Sequence, residues 1–444
     1  MKILFIIPGS GDLFYCGNCF RDSLHAGALK QAGHEVVVMP LYLPLKDKSF
    51  LADTPLFFPA VTLYIAQKFF KKRAMPRWME KMFNSRRALN MAASLSGSTS
   101  STGLEDMTLS MVNGDDPIFI QQVGTLIEWV KEHEQPDVIY LSTSLLIGIA
   151  KAFKESVNIP IICSLQDEEI WIDVLNKTDA DKVWEGIYEK TSYIERFVSS
   201  SEFYKSSIGK RFPLIADRID VVYPGVDTAK YAAEKFPSEP VIGFFYRMNE
   251  ENGLHILAKA FVKVKKTGRF DTLRLRIGGG YTAANKKFLK RVRRILSPYR
   301  GYVDWCDTYS LSEHAPFYKE ITAICVPLTF EEGVGLYLCE AFAAGRPAIE
   351  PATGSFAEIL GYQGEMSGGN DEGERREGNA GILYSPNTAD ALADAIEQLL
   401  GDEGLFKQCC ENALKLSRTR YNYTVQGNRL VEIMTNVLKM NSTI

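Results

Sequence analysis

Along most of the chain, apolar runs of strand length alternate with amphipathic stretches of helix length, and the alternation stops once and then restarts. The first series runs KILFIIPG (2–9), FRDSLHAGALKQAG (20–33) and HEVVVMPLYL (34–43), then IFIQQVGTLIEWVKEH (118–133) and DVIYLST (137–143). It continues with LLIGIAKAFKES (145–156) as a helix, and IPIICSLQD (159–167) and RFVSSS (196–201) as strands. Strands that are apolar throughout and separated by helices require a parallel sheet covered on both faces. The pause, DVVYPGVDTAKYAAEKFPSEP (220–240), is rich in turn residues and proline and reads as an interdomain linker. Beyond it the alternation resumes at VIGFFYR (241–247) and runs to ADALADAIEQLL (389–400), through a strand ITAICVPL (321–328). The expected fold is α/β, two doubly wound domains in tandem with a cleft between them. The boundaries fall at 1–228 (with an insertion near 47–115), a linker at 229–240, and 241–425. A C-terminal helix at 426–444 is expected to return to the first domain. Ligands of such sheets bind beyond the carboxyl ends of the strands, so the cleft is the expected site.

Composition narrows the class of function. With 444 residues, 46% hydrophobic and 24% charged, the chain has the make-up of a globular protein of two or three domains. A net charge of −3 argues against a nucleic-acid partner. The apolar start is too short for a secretory leader, and no window approaches a membrane span, so a cytoplasmic protein is expected. Its eight cysteines are then reduced thiols. Cys16 and Cys19 form a C-x-x-C without a second pair at zinc spacing, which leaves a redox role or a place in a ligand pocket. Residues 67–87 carry eight basic side chains against one acidic, with Phe, Trp and Met between them. That stretch is either a solvated helix face or a peripheral contact with an anionic membrane. Residues 361–380 are polar and glycine-rich and read as a surface loop.

The chemistry concentrates in PLTFEEGVGLYLCEAFAAGRPAIEP (327–351). Glu332 and Glu340 stand with seven residues between them, and Gly333 and Gly335 follow the first at once. A strand that turns through glycines into a helix offers free backbone N–H groups and a positive dipole, which attract phosphate. Both carboxylates can face a ligand at the helix start and accept hydrogen bonds from sugar hydroxyls. Locally, an ordinary crossover with surface glutamates reads equally well.

A series of motifs in order breaks that tie. VVYPGVD (221–227), GFFYRMNEENG (243–253), LRIGGG (275–280), EGVGLYLCEAFAAGRP (332–347), TGSFAE (353–358) and GILYSPNTADALADAI (381–396) resemble the C-terminal motifs of the GT-B glycosyltransferases, in particular retaining family 4. The resemblance covers residues 220–400 and implies two Rossmann-like domains. It implies that Glu340 accepts from the ribose of a donor nucleotide and that Glu332 holds the transferred sugar. Backbone N–H groups around Gly335 and Leu336 would hold the pyrophosphate, Arg247 would neutralise the leaving diphosphate, and Gly9 and Gly11 would approach the donor phosphates from the first domain. Where the family has a lysine this chain has Asn252, and where it often has a histidine it has Gln166 and Asp167. With Cys16 and Cys19, those two are the acceptor-side candidates.

The implied activity is transfer from a nucleoside-diphosphate sugar to a glycan, lipid or small-molecule acceptor, with retention and without metal or other cofactor. A UDP-sugar is the first expectation, with GDP- or ADP-sugars the alternatives. A lipid-linked acceptor would be presented through residues 67–87. The competing readings are a nucleotide-sugar epimerase on the same fold and a non-catalytic nucleotide-sugar-binding protein.

Overall fold

The apolar runs pair in parallel into two six-stranded sheets. The computed structural model describes residues 1–9, 15–41, 105–233, 235–307, 310, 314–362 and 379–441. The first sheet holds β1 (Lys2–Ile7), β2 (Glu35–Pro40), β3 (Val138–Leu141), β4 (Ile161–Ser164), β5 (Arg196–Ser199) and β6 (Ile219–Val221). Its order is β2-β1-β3-β4-β5-β6. The second holds β7 (Val241–Phe245), β8 (Arg274–Gly278), β9 (Val303–Trp305), β10 (Ala323–Ile324), β11 (Ala348–Pro351) and β12 (Gly381–Tyr384). Its order is β12-β11-β10-β7-β8-β9. Each order reverses once, between β1 and β3 in the first sheet and between β7 and β10 in the second. Such reversals open a crevice at the carboxyl ends of the strands, where ligands bind. Two doubly wound α/β sheets facing across a cleft make this a GT-B fold.

The strands are buried on both faces, with Ile3, Phe5, Ile242 and Ile277 fully enclosed. Each such side chain contributes about 1.5–3 kcal/mol on burial. The last helix, Tyr423–Asn441, lies back on the first domain, where Leu430, Ile433, Met434 and Val437 join Ile3 and Phe5 in one cluster. Tyr15 and Leu24, from the first domain, are instead part of the core that surrounds the second sheet.

Several elements depart from the sequence expectation. Residues 145–156 are not one helix but a 3-10 segment, Ser144–Ile149, followed by an α-helix, Ala150–Val157. Gly148 lies so close to Met111 that a Cβ would strike its carbonyl, and that approach tightens the turn. The stretch read as linker begins inside the sheet, since Ile219–Val221 is its sixth strand. The run ITAICVPL pairs as strand only at Ala323 and Ile324. The helices Lys177–Lys190 and Glu202–Arg211, capped by Asn176 and Ser201, had no counterpart in the sequence reading. The basic stretch 67–87, most of the 47–115 insertion and most of the 361–380 loop lie outside the described residues.

Candidate functional site

Two crevices converge here. Arg247 follows β7 and the Glu332 turn follows β10, so both stand at the reversal of the second sheet. Opposite them, Gly9 and Cys16 follow β1, and Asp167 follows β4. Gly9, with φ 103°, adopts a backbone that favours glycine; Gly11 lies outside the described residues. Gly335 adopts the left-handed conformation and starts the helix Leu336–Ala343, every residue of which is buried.

Glu332 accepts from the Tyr246 hydroxyl at 3.1 Å and from the Val334 N–H at 3.3 Å. Burial raises its carboxyl above the usual range, against those hydrogen bonds. Asp167 reaches over from the first domain. A Cβ on Gly333 would collide with Asp167 Oδ1, so glycine there is what admits the carboxylate. Asp167 is itself left-handed (φ 53°), a strained backbone for a non-glycine residue, and Oδ1 makes no hydrogen bond. Burial first, and Glu332 second, push its carboxyl well above the usual range.

Glu340 is wholly enclosed and fully engaged. Oε1 accepts from Tyr231 at 2.8 Å and lies 2.6 Å from His314 Nδ1; Oε2 accepts from Tyr318 at 3.0 Å and from Tyr15 at 3.3 Å. Tyr15 comes from the first domain, and its N–H donates to the Gly279 carbonyl at 2.6 Å. In this state a ribose would have to displace one of those donors. His314 and the tyrosines went unmarked in the sequence because the histidines show no ligand spacing. Their convergence is set by tertiary packing.

Arg247 is half-buried, and its guanidinium is lowered from its usual value chiefly by burial. Asn252 turns inward, its amide donating to the Arg247 carbonyl at 2.7 Å. It thereby fixes the turn that carries Arg247. Gln166 also points inward, its amide 2.6 Å from Asp22 Oδ1. Cys16 caps the helix Gly17–Gln31, with its sulfur 2.6 Å from that of Cys19; the hydrogen bond from Cys19 lowers the Cys16 thiol. Among the described residues, no cluster of His, Cys, Asp and Glu could hold a metal ion. Asp179 and Asp181 form an Asp-x-Asp triplet, but they pair with Lys182 and Lys177 on an outer helix. No described helix is long and apolar enough to cross a membrane.

The segment TGSFAE, which runs into the short helix Phe356–Ile359, lies beside Glu332. Ser355 N–H donates to the Glu332 carbonyl at 2.8 Å, and Glu358 crosses the cleft to accept from the N–H groups of Glu202 and Phe203 at 2.8 and 2.9 Å.

Residues 239–402 match the family model described as glycosyl transferases group 1. The chain is similar to the putative glycosyltransferase YtcC of Bacillus subtilis, 22% identical over 64% of this chain and 69% of that protein. It is also similar to a D-inositol 3-phosphate glycosyltransferase of Corynebacterium aurimucosum, 26% identical over 42% of this chain and 44% of that one. The chain thus spans less than half the length of that second relative. Among solved structures, Anabaena HepE in complex with UDP and glucose matches with a TM-score of 0.66, at 15% identity over 98% of this chain and 99% of that one. A sucrose-phosphate synthase from Thermosynechococcus elongatus matches with a TM-score of 0.65, at 14% identity over 99% and 100%. Residues 239–402 thus carry a glycosyl transferases group 1 domain, set within a two-sheet architecture that has the GT-B fold.

Proposed function

We propose that the protein transfers a sugar from a UDP-sugar, with retention and without metal, to a glycan or lipid-linked acceptor at the cytoplasmic side. The observation that carries this reading is the meeting of Asp167 with the Gly333 turn: a carboxylate from one domain lies directly over the glycine turn of the other. A sugar held there touches both halves. The helix start at Leu336 and Arg247 lie on the second domain's side and suit a departing diphosphate, whose charge must be stabilised as the bond breaks. Glu332 suits the sugar hydroxyls, and Glu340 the ribose once a donor is displaced. UDP as the nucleotide is favoured by the UDP-bound HepE structure, which shares the fold. Residues 67–87 are the segment proposed to meet an anionic membrane.

The test begins with a thermal-shift screen against UDP-, GDP- and ADP-sugars. The right donor, at about a hundred times its dissociation constant, should add ~2.7 kcal/mol. Transfer from that donor is then followed with Glu332→Gln and Arg247→Ala. Each variant should lose at least 100-fold in kcat while keeping the wild-type circular dichroism spectrum, and chelator should leave the rate unchanged. Full activity in both variants would refute the assignment. Conversion of donor without acceptor would indicate an epimerase.

A further inference from the structure

Arg21 lies one turn into the helix Gly17–Gln31 and is 1% exposed, yet none of its three guanidinium nitrogens makes a hydrogen bond. A guanidinium keeps its proton and has five N–H groups to satisfy, so this burial leaves a bare cation. The same molecule treats another equally buried arginine differently. Arg346 donates to the carbonyls of Tyr318, Lys235 and Lys319 and stacks on Phe236. A buried polar group without a partner calls for a specific explanation, such as an ion that belongs there.

The surroundings give the location. Arg21 acts electrostatically on Asp167 and, across the cleft, on Glu332. Arg21 also acts electrostatically on His25, and Asp167 Oδ1 and His25 Nε2 likewise lack hydrogen-bond partners. The nearby carboxyls are weakened as counter-ions, because burial raises Asp167 well above its usual range and Asp22 to about 7. Arg247 is placed differently, interacting with Glu251 and Cys16 on the side assigned to the diphosphate.

We propose that Arg21 is an anion-recognition residue of the cleft, receiving a carboxylate or phosphate carried beside the reacting carbon by the transferred sugar or by the acceptor. The planar fork of arginine suits either anion in a bidentate contact. This inference rests on the nucleotide-sugar reading of the same cleft.

The experiment uses the full chain saturated with UDP, titrated by calorimetry with inorganic phosphate, with glucuronate and with methyl glucoside as the neutral control. Wild type is compared with Arg21→Gln and Arg21→Lys, and UDP-glucuronic acid is compared with UDP-glucose in the same three chains. An anionic probe should bind wild type and bind Arg21→Gln at least about 10-fold more weakly. Arg21→Lys should recover part of the loss, and methyl glucoside should not respond to either substitution. A phosphate response points to an anionic acceptor. A preference for UDP-glucuronic acid that disappears in Arg21→Gln points to an anionic donor sugar. Should Arg21→Gln fail to fold, the charge-keeping Arg21→Lys still has to weaken the anion more than the neutral sugar. The proposal is overturned if wild type ignores every anionic probe, if the neutral sugar loses as much as the anions, or if the loss is confined to UDP itself. Failure of UDP to bind wild type would instead sink the nucleotide-sugar reading.

Discussion

At Glu340, one carboxylate takes hydrogen bonds from three tyrosines and faces one histidine. Tyr15 is the donor that the first domain supplies, and its 3.3 Å contact is the longest of the four. It is therefore the contact that the ribose hydroxyl proposed to reach Glu340 would displace most easily. Tyr15→Phe should tighten UDP binding about three- to ten-fold, the worth of one hydrogen bond no longer lost on binding. Calorimetry checks this, and weaker binding would mean that Tyr15 serves the nucleotide instead. Asp22 allows a second prediction, on pH. Burial lifts its carboxyl to about 7 in the folded protein, while the unfolded chain keeps it near the ordinary 3.8. Between those values the folded state binds the extra proton. Stability from this group is thus fully present below the unfolded value and is lost as pH rises through about 7. Asp22→Asn, which can still accept from Gln166, should raise Tm at pH 8 and do little at pH 4, with a ceiling of about 4 kcal/mol at 1.36 kcal/mol per unit. Equal effects at both pH values would show that Asp22 is not held protonated. Neither residue was marked in the sequence, because Tyr15 and Asp22 take their meaning from partners 325 and 144 positions away.

The strands and helices were largely legible because each announces itself locally, by an apolar run or a 3.6-residue period. The elements that were missed or misjudged are those governed by distant contacts. Ser144–Ile149 tightens against Met111, and Ile219–Val221 becomes a strand because β5 has a free edge beside it. The turn at Gly333 and Gly335 was read correctly as a strand passing through glycines into a helix, but the sequence could not show Asp167 lying over Gly333. Asn252 shows the same limit from the other side: its amide serves the turn at Arg247. That turn ends at Gly253, whose φ of 72° and close approach to the Pro327 carbonyl leave no room for a Cβ. Gly253→Ala combines an unfavourable backbone with a clash against main chain. It should cost at least about 2 kcal/mol, more than a strained turn position alone. Urea denaturation measures it; a loss below about 0.5 kcal/mol, the size of an ordinary surface change, would show that the turn can shift.

Across the whole molecule, the two domains are joined by hydrogen bonds as well as by chain. Ser201 Oγ donates to the Gly333 carbonyl at 2.6 Å, and Tyr223 donates to Glu358 at 2.7 Å. Glu358 also accepts the first two N–H groups of the helix Glu202–Arg211, so a carboxylate from the second domain caps a helix of the first. A negative charge at a helix start is favoured by the helix dipole and by the unsatisfied N–H groups there. Glu358 lies in the short helix Phe356–Ile359, whose capping residue Ser355 holds the Glu332 carbonyl, so the segment that bridges the domains also positions the carboxylate proposed to hold the sugar. Closure and site assembly are then one event, as expected of an enzyme that must exclude water from an activated sugar. Glu358→Ala should loosen closure by about 1.5–3 kcal/mol, the worth of hydrogen bonds to a charged group. Donor binding, proposed to rest mainly on the second domain, should change little, while kcat falls at least about 10-fold. Small-angle scattering of the UDP-saturated variant should give a larger radius of gyration than wild type. An unchanged radius together with an unchanged kcat would mean that the cleft closes without this cap, and that the contact between Ser201 and Gly333 suffices.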